Sequence, residues 1–190
     1  MESTKTRILK KLLETDGYLS GQELCEQLGV SRTAVWKYMK QLKEEGYEIE
    51  AVQNKGYCLK DVPDVLGESE IKSRLHTRWA GQTLYYYDEI DSTNTQIKRL
   101  AEEDAPHGTL AVADYQSRGK GRRGRAWDSP HGSAIYMSIL FRPEIRPDRA
   151  SMLTLVIGLS VTQAIRSNLG LQAQIKWPND VVLNGKKISR

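Results

Sequence analysis

The stretch Ser20–Leu42, SGQELCEQLGVSRTAVWKYMKQL, holds two helical patterns separated by a single glycine turn. Ser20 and Glu23 have the Ser-x-x-Glu spacing of a capping box, and Leu24, Cys25 and Leu28 follow as one apolar face. Gly29-Val30 reads as a tight turn, after which Ser31 can cap a further helix. In that helix Val35, Met39 and Leu42 fall on one side, and Thr33, Lys37 and Lys40 on the other. Upstream, Ile8, Leu9, Leu12 and Leu13 predict a helix over 5–14, closed by Thr15-Asp16-Gly17. Downstream, Glu48 to Val52, the turn Asn54-Lys55-Gly56 and Tyr57 to Leu59 predict a short β-ribbon. Three helices followed by a ribbon predict a winged helix-turn-helix over residues 1–61.

A helix with an apolar back and a basic front suits the major groove, where polar side chains reach base edges and phosphates, and a wing lysine reaches the backbone. The segment from Ser31 to Lys43 carries Arg32, Lys37, Lys40 and Lys43 with no acid. The expected DNA-facing set is Ser31, Arg32, Thr33, Trp36, Lys37 and Lys40, with Lys55 on the wing. The competing readings are a merely solvated basic face or a protein-interaction module, since residues 1–61 hold ten cations and ten anions. The phrase VSRTAVWKYMKQL resembles the DNA-binding domains of bacterial repressors.

Asp61-Val62-Pro63-Asp64 has the composition of a connector, because proline interrupts helix and sheet alike. We place a linker at 62–66 and a second domain at 67–190. There a short helix is expected around 70–75, strands over 83–87, 110–115 and 134–141, helices over 91–103 and 148–168, and a hairpin over 181–188 turning at Asn184-Gly185. The fold class is therefore α+β: a winged helix-turn-helix followed by an incomplete mixed-sheet domain.

The chain has 190 residues, 39% apolar and 27% charged, with a net charge of +4. Its longest strongly apolar run, Leu153 to Leu159, is too short to span a bilayer, and the N-terminus lacks a secretory signal pattern, so a cytoplasmic location and no membrane partner are expected. Cys25 and Cys58 offer neither metal-ligand spacing nor a disulfide framework.

The run QSRGKGRRGR, residues 116–125, sets five cations among three glycines without an acid. Glycines let a backbone approach a ligand, and arginines present forked donors to phosphate and carboxylate oxygens, so the run reads as an anion clamp. It is not a Walker A loop, because Arg125-Ala126 stands where Lys-Ser or Lys-Thr is required. Gly119-x-Gly121-x-x-Gly124 spells a dinucleotide fingerprint, yet Trp127-Asp128-Ser129-Pro130 cannot begin the helix that fingerprint needs. An RNA-binding or solvated arginine-glycine segment is the remaining alternative. Mutual repulsion of the cations predicts that amides from Ser117 to Arg125 exchange rapidly without ligand.

EIDSTNTQIKRLA, GKGRRGRAWDSPHGSAIYMSI and KWPNDVVLNGKK occur in this order, and together they resemble the biotin protein ligases; with the winged helix ahead, the likeness is to the bifunctional ligase and biotin operon repressor class. That resemblance implies activation of biotin by ATP to biotinoyl-5′-adenylate, transfer to a lysine of the biotin carboxyl carrier protein of acetyl-CoA carboxylase, and repression at an operator DNA by a ligand-promoted homodimer. It implies that Ser92, Thr93, Asn94, Gln116, Lys120, Gly121, Arg122 and Lys187 bind biotin, and that Arg122 and Lys187 are catalytic. Arg123, Trp127, Lys176, Asn179 and Asp180 would meet ATP, with Asn179 and Asp180 serving Mg²⁺. Lys120 departs from the family's arginine, keeping the charge and losing the fork. Lys186 competes with Lys187, and spacing from Asp180 favours the latter. At the C-terminus Arg190 stands where the family has glycine, which reads as a truncated or frame-disrupted product whose last hairpin lacks its neighbours. The alternative function is a non-catalytic, biotin-responsive transcription regulator.

Overall fold

The computed structural model describes residues 3–121, 125–178 and 180–189. By packing, the chain divides into two compact units, Met1–Phe141 and Arg142–Arg190.

The first unit begins with α1 (Thr4–Glu14), α2 (Gly21–Leu28) and α3 (Arg32–Glu44), followed by the antiparallel ribbon β1 (Glu48–Val52) and β2 (Gly56–Asp61). Each helix opens on a serine: Ser3 Oγ accepts from Thr6 N, Ser20 Oγ from Gln22 N and Ser31 Oγ from Ala34 N. The capping box expected at Ser20 forms differently. Its serine bonds the second rather than the third helical amide, and Glu23 instead accepts from Gln27 Nε2 one turn on, at 2.9 Å. Gly29 closes α2 in the left-handed conformation, φ 66°, so that Val30 N reaches Cys25 O and the chain turns directly into α3. The side chains predicted to face inward do so, with Ile8, Leu9, Leu12, Leu24, Leu28, Val35, Met39 and Leu42 joined by Tyr47 and Ile49 in one core. Leu19 pairs with Tyr57 in an isolated antiparallel bridge, tying the ribbon to the segment between α1 and α2.

The connector is packed rather than free. Val62 lies against the winged-helix core, and Pro63 lies close to Gly46. It leads into α4 (Glu68–Ser73), which touches α1 on one side, while Leu66 and Ile71 pack on Leu84, Leu110 and Val112 on the other. Tyr47 Oη donates to Glu70 Oε2 at 2.6 Å, and Arg74 pairs with the other oxygen of that carboxylate. Burial and this bond to Glu70 push the Tyr47 phenol well above its ordinary pKa. These contacts place the winged helix and the first sheet in one unit.

That sheet has the order β3-β4-β7, built from β3 (Leu84–Ile90), β4 (Leu110–Gln116) and β7 (Tyr136–Ile139). β3 and β4 are parallel, joined through α5 (Thr93–Glu102), and β4 and β7 are antiparallel, which makes the sheet mixed. α5 packs Ile97 and Leu100 onto Ala111, whose small side chain lets the helix sit close to β4. Between β4 and β7 runs a small hairpin of β5 (Gly119–Lys120) and β6 (Ala126–Trp127). A strand therefore stands where a dinucleotide fold would need a helix.

In the second unit a 3-10 turn, Pro147–Arg149, precedes α6 (Met152–Leu169), so the long helix starts four residues later than its sequence pattern suggests. Gly170, φ 66°, ends it. The antiparallel sheet β10-β9-β8 follows: β8 (Gln174–Lys176), β9 (Asp180–Leu183) and β10 (Lys186–Ser189). Asn184 and Gly185 both have positive φ, 50° and 74°, as a two-residue hairpin turn of this hand demands. Among the described residues, no helix is long and apolar enough to cross a membrane.

Candidate functional site

The DNA-facing side chains expected on α3 stand in the open. Ser31, Arg32, Thr33, Trp36, Lys37 and Lys40 are all exposed, opposite the buried Val35, Met39 and Leu42, and Trp36 retains 60% of its surface. Lys40 leans toward Glu44 at 3.6 Å across one helical turn. On the ribbon, Lys55 Nζ lies 5.6 Å from the centroid of the Tyr18 ring and Lys60 Nζ 5.4 Å, while Tyr18 Oη donates to Glu50 Oε2 at 2.7 Å. Tyr18 thus holds two wing cations over its ring face.

The second constellation forms where α5 begins, beside the end of β4. Gln116 is 8% exposed, and its Oε1 accepts from Thr93 N at 2.8 Å and from Thr93 Oγ1 at 3.1 Å. A backbone N–H is an obligate donor, so the orientation of this amide is fixed. Its Nε2 then donates to Ser129 Oγ at 3.0 Å, and Ser129 Oγ donates to Trp127 O at 3.1 Å. Across the sheet, Ser138 Oγ donates to Thr93 Oγ1 at 3.0 Å. The hydroxyls of Ser138, Thr93 and Ser129 are all engaged in one directed chain. Ser92 is the exception: it is 1% exposed, it occupies the N-cap position of α5 without a capping bond, and its Oγ has no hydrogen-bond partner among the described residues. Thr95 Oγ1, one turn on, is also buried without a partner. A buried hydroxyl left unpaired costs about 1–3 kcal/mol, which marks Ser92 as a donor and acceptor held for something else.

Asp91 lies one residue before the N-cap position of α5. Its Oδ1 accepts from Ser92 N at 2.7 Å, and its carboxylate takes Arg99 Nη2 at 2.8 Å. The Arg99 guanidinium, the Ser92 amide and the charge of Lys120 hold the Asp91 carboxyl below its ordinary range. The glycine run leaves β4 under tight control: Ser117 N donates to Ile90 O at 2.9 Å, Arg118 N to Asp91 O at 2.8 Å and Gly121 N to Arg125 O at 2.8 Å. Rapid exchange is therefore no longer expected across all of 117–125, because the two flanks are stitched to β3, to Asp91 and to each other. The predicted contacts Arg122 and Arg123 lie outside the described residues, as does Asn179. Gly119 has no room for a side chain, since a Cβ there would stand 2.3 Å from Trp127 O and 2.6 Å from Ser129 Oγ. Lys120, exposed on β5, points its charge into the neighbourhood of Asp91, and Trp127 on β6 keeps 38% of its surface. The returning segment is anchored by Asp114, which accepts from Gly132 N at 3.1 Å and contacts His131 Nδ1 at 2.7 Å. The His131 bond keeps the Asp114 carboxyl below its usual range.

In the second unit, Trp177 and Pro178 follow β8 ahead of β9. Lys176 and Asp180 are cross-strand partners, and Trp177 between them is 79% exposed. Lys187 Nζ donates to Asp180 Oδ1 at 2.7 Å, whereas Lys186 stands next to the Asn184-Gly185 turn. Among the described residues, no group of three or more His, Cys, Asp or Glu could hold a metal ion.

Sequence reasoning missed Ser129, Ser138 and the Asp91–Arg99 pair. Ser129 and Ser138 lie 13 and 22 residues from Gln116 in the chain and carry no spacing signal. Arg99 sits eight residues beyond Asp91 and reaches it only because a turn precedes α5.

The biotin/lipoate A/B protein ligase family model matches residues 86–189, and a helix-turn-helix domain model matches residues 4–58. The bifunctional ligase/repressor BirA of Bacillus spizizenii is 47% identical over 98% of this chain and 58% of its own length. The protein of the same name from Escherichia coli is 35% identical over 94% of this chain and 54% of its own. The solved biotin protein ligase from Aquifex aeolicus in complex with biotin and ATP aligns with a TM-score of 0.50 at 38% identity, covering 56% of this chain and 44% of that one. A mixed sheet with α5 laid on β4, followed by the serine-glutamine site and the basic hairpin, is the local architecture to which these matches attach, and the chain belongs to the biotin/lipoate A/B protein ligase family. It spans a little over half the length of the curated relatives it matches.

Proposed function

We propose that this chain is the N-terminal part of a cytoplasmic biotin protein ligase that also represses transcription, and that Ser92, Thr93, Asn94 and Gln116 receive biotin. The observation that carries this reading is the Ser92 hydroxyl, buried and unpartnered beside a network in which Thr93, Gln116 and Ser129 are already satisfied. A ureido group, with one acceptor oxygen and two N–H donors, matches such a hydroxyl.

The chemistry has two steps. A carboxylate oxygen of biotin attacks the α-phosphorus of ATP, a P–O bond forms, and the bond to pyrophosphate breaks. The amine of a carrier-protein lysine then attacks the acyl carbon, AMP leaves, and the amine loses its proton. Both steps need positive charge at the phosphate, supplied in this reading by Lys120, Arg122 and Arg123 of the glycine run. Trp127 offers an exposed indole for the adenine. Asn179 and Asp180 would hold Mg²⁺ bound to the nucleotide, which neutralises phosphate charge; Lys187 then exchanges its bond to Asp180 for ligand oxygens. Release of pyrophosphate on mixing the chain with biotin and ATP is the expected result. No release, together with retained DNA binding, would favour a regulator that senses biotin without catalysis.

For the winged helix the reading is operator binding by a ligand-promoted homodimer, which pairs two α3 helices on a two-fold site. Lys37→Ala should weaken DNA binding roughly uniformly across sequences and reduce the salt slope by about one counterion. An unchanged affinity and slope in the folded variant would remove Lys37 from the interface.

A further inference from the structure

We propose that Asp91 and Arg99 are positioning residues, whose ion pair sets the ligand-contacting end of α5 and the root of the glycine hairpin together. The argument rests on what each atom of Asp91 does. Its carboxylate is gripped by both Arg99 nitrogens, Nη2 to Oδ2 at 2.8 Å and Nη1 to Oδ1 at 3.3 Å. The same Oδ1 accepts from Ser92 N at 2.7 Å, which ties the backbone of the N-cap residue of α5 to the carboxylate. Its carbonyl oxygen accepts from Arg118 N at 2.8 Å, one residue before the close-packed Gly119. One residue therefore carries a bond to each half of the site.

Arg99 is itself held. Its Nη1 reaches Gln96 Oε1 at 3.3 Å, and Gln96 Nε2 donates to Tyr87 Oη on β3 at 3.0 Å. The chain of contacts runs from β3 through α5 to Asp91, and from there to the hairpin. Bidentate geometry matters here because a fork fixes the carboxylate plane as well as its distance. None of these groups needs to touch biotin or nucleotide, so the pair acts through Ser92 and Arg118.

This inference rests on the biotin reading for its consequence, though not for its geometry, and the test separates the two. Arg99→Ala, Asp91→Asn and Arg99→Lys would be compared with the unaltered chain by amide exchange without ligand and by titration with biotin. Asp91→Asn keeps an acceptor for Ser92 N, removes the charge and replaces one of the two oxygens that Arg99 grips with an N–H donor. Both Arg99→Ala and Asp91→Asn should speed exchange of the Ser117 to Gly121 amides by about 5-fold and weaken biotin binding by a similar factor, with kcat for pyrophosphate release within about 2-fold. Arg99→Lys should recover part of both, as charge without the fork. The double variant should lose no more than either single one. If exchange at 117–121 is the same in Arg99→Ala as in the unaltered chain, the positioning role is wrong whatever biotin does. If the unaltered chain binds no biotin while exchange still responds as described, the anchor stands and the biotin reading falls.

Discussion

Gly56→Ala should unfold the wing and abolish DNA binding while lowering the melting temperature by roughly 6–12 °C, the shift expected for about 3 kcal/mol in a chain of this size. Two effects add. Gly56 has φ +112°, a backbone conformation that an L side chain rarely adopts, and a Cβ there would stand 2.1 Å from Leu19 O and 2.7 Å from its carbonyl carbon. The obstacle is backbone, and it belongs to the Leu19–Tyr57 bridge that ties ribbon to helices. Gly17, at φ +102° with open space around it, isolates the conformational part. Gly17→Ala should cost only about 1 kcal/mol and leave DNA affinity nearly intact. Thermal melts and operator titrations of the two variants check both expectations; equal effects at 17 and 56 would mean that the steric term has been overestimated.

The second large effect is expected at Gln116. Gln116→Leu has nearly the same volume but removes the acceptor of Thr93 N and Thr93 Oγ1 and the donor to Ser129 Oγ. The Thr93 amide is buried and has no alternative within the helix, being in its first turn. Leaving two such groups unpaired costs about 2–6 kcal/mol in total. We expect biotin binding to be lost along with several degrees of melting temperature. Gln116→Glu keeps the acceptor oxygens for Thr93 and should retain more stability than the leucine variant, although it gives up the donor to Ser129. Calorimetric titration with biotin and thermal melts on both variants test this. Wild-type affinity in Gln116→Leu would show that the amide belongs to the scaffold alone.

How much of this was legible beforehand differs between the first three helices and the hairpins. α1 to α3 announce themselves because Ile8, Leu12, Val35, Met39 and Leu42 recur at helical spacing and serine caps stand before each helix. The β9–β10 hairpin is written in Asn184-Gly185, whose dihedral demands few other residues meet. The β5–β6 hairpin is not written anywhere obvious. Its strands are two residues long, the first, Gly119-Lys120, lies inside a basic run that reads as a flexible clamp, and the glycine that looks like freedom at 119 is instead demanded by contact with Trp127 and Ser129. The site divides in the same way. Ser92, Thr93 and Gln116 could be named from a motif, but the donor sequence from Ser138 through Thr93 and Gln116 to Ser129 depends on strands and a hairpin brought together by the sheet. Local pattern carries no trace of it. Nor could the sequence say that neither Asp91 nor Ser92 caps α5 with its side chain, since both residue types do so well; Asp91 is engaged by Arg99, the Thr93 amide goes to Gln116, and the serine hydroxyl is left unspent.

The central claim is that this hydroxyl is kept for biotin, and titration of biotin into the unaltered chain and into Ser92→Ala tests it most directly. Removing a hydrogen bond to a buried ligand group costs about 1–2 kcal/mol, so the alanine variant should bind roughly 5- to 30-fold more weakly. Its fold should be unharmed, and slightly more stable, because a buried hydroxyl without a protein partner has been removed. Equal affinity in the two proteins, or no binding by the unaltered chain, would contradict the claim.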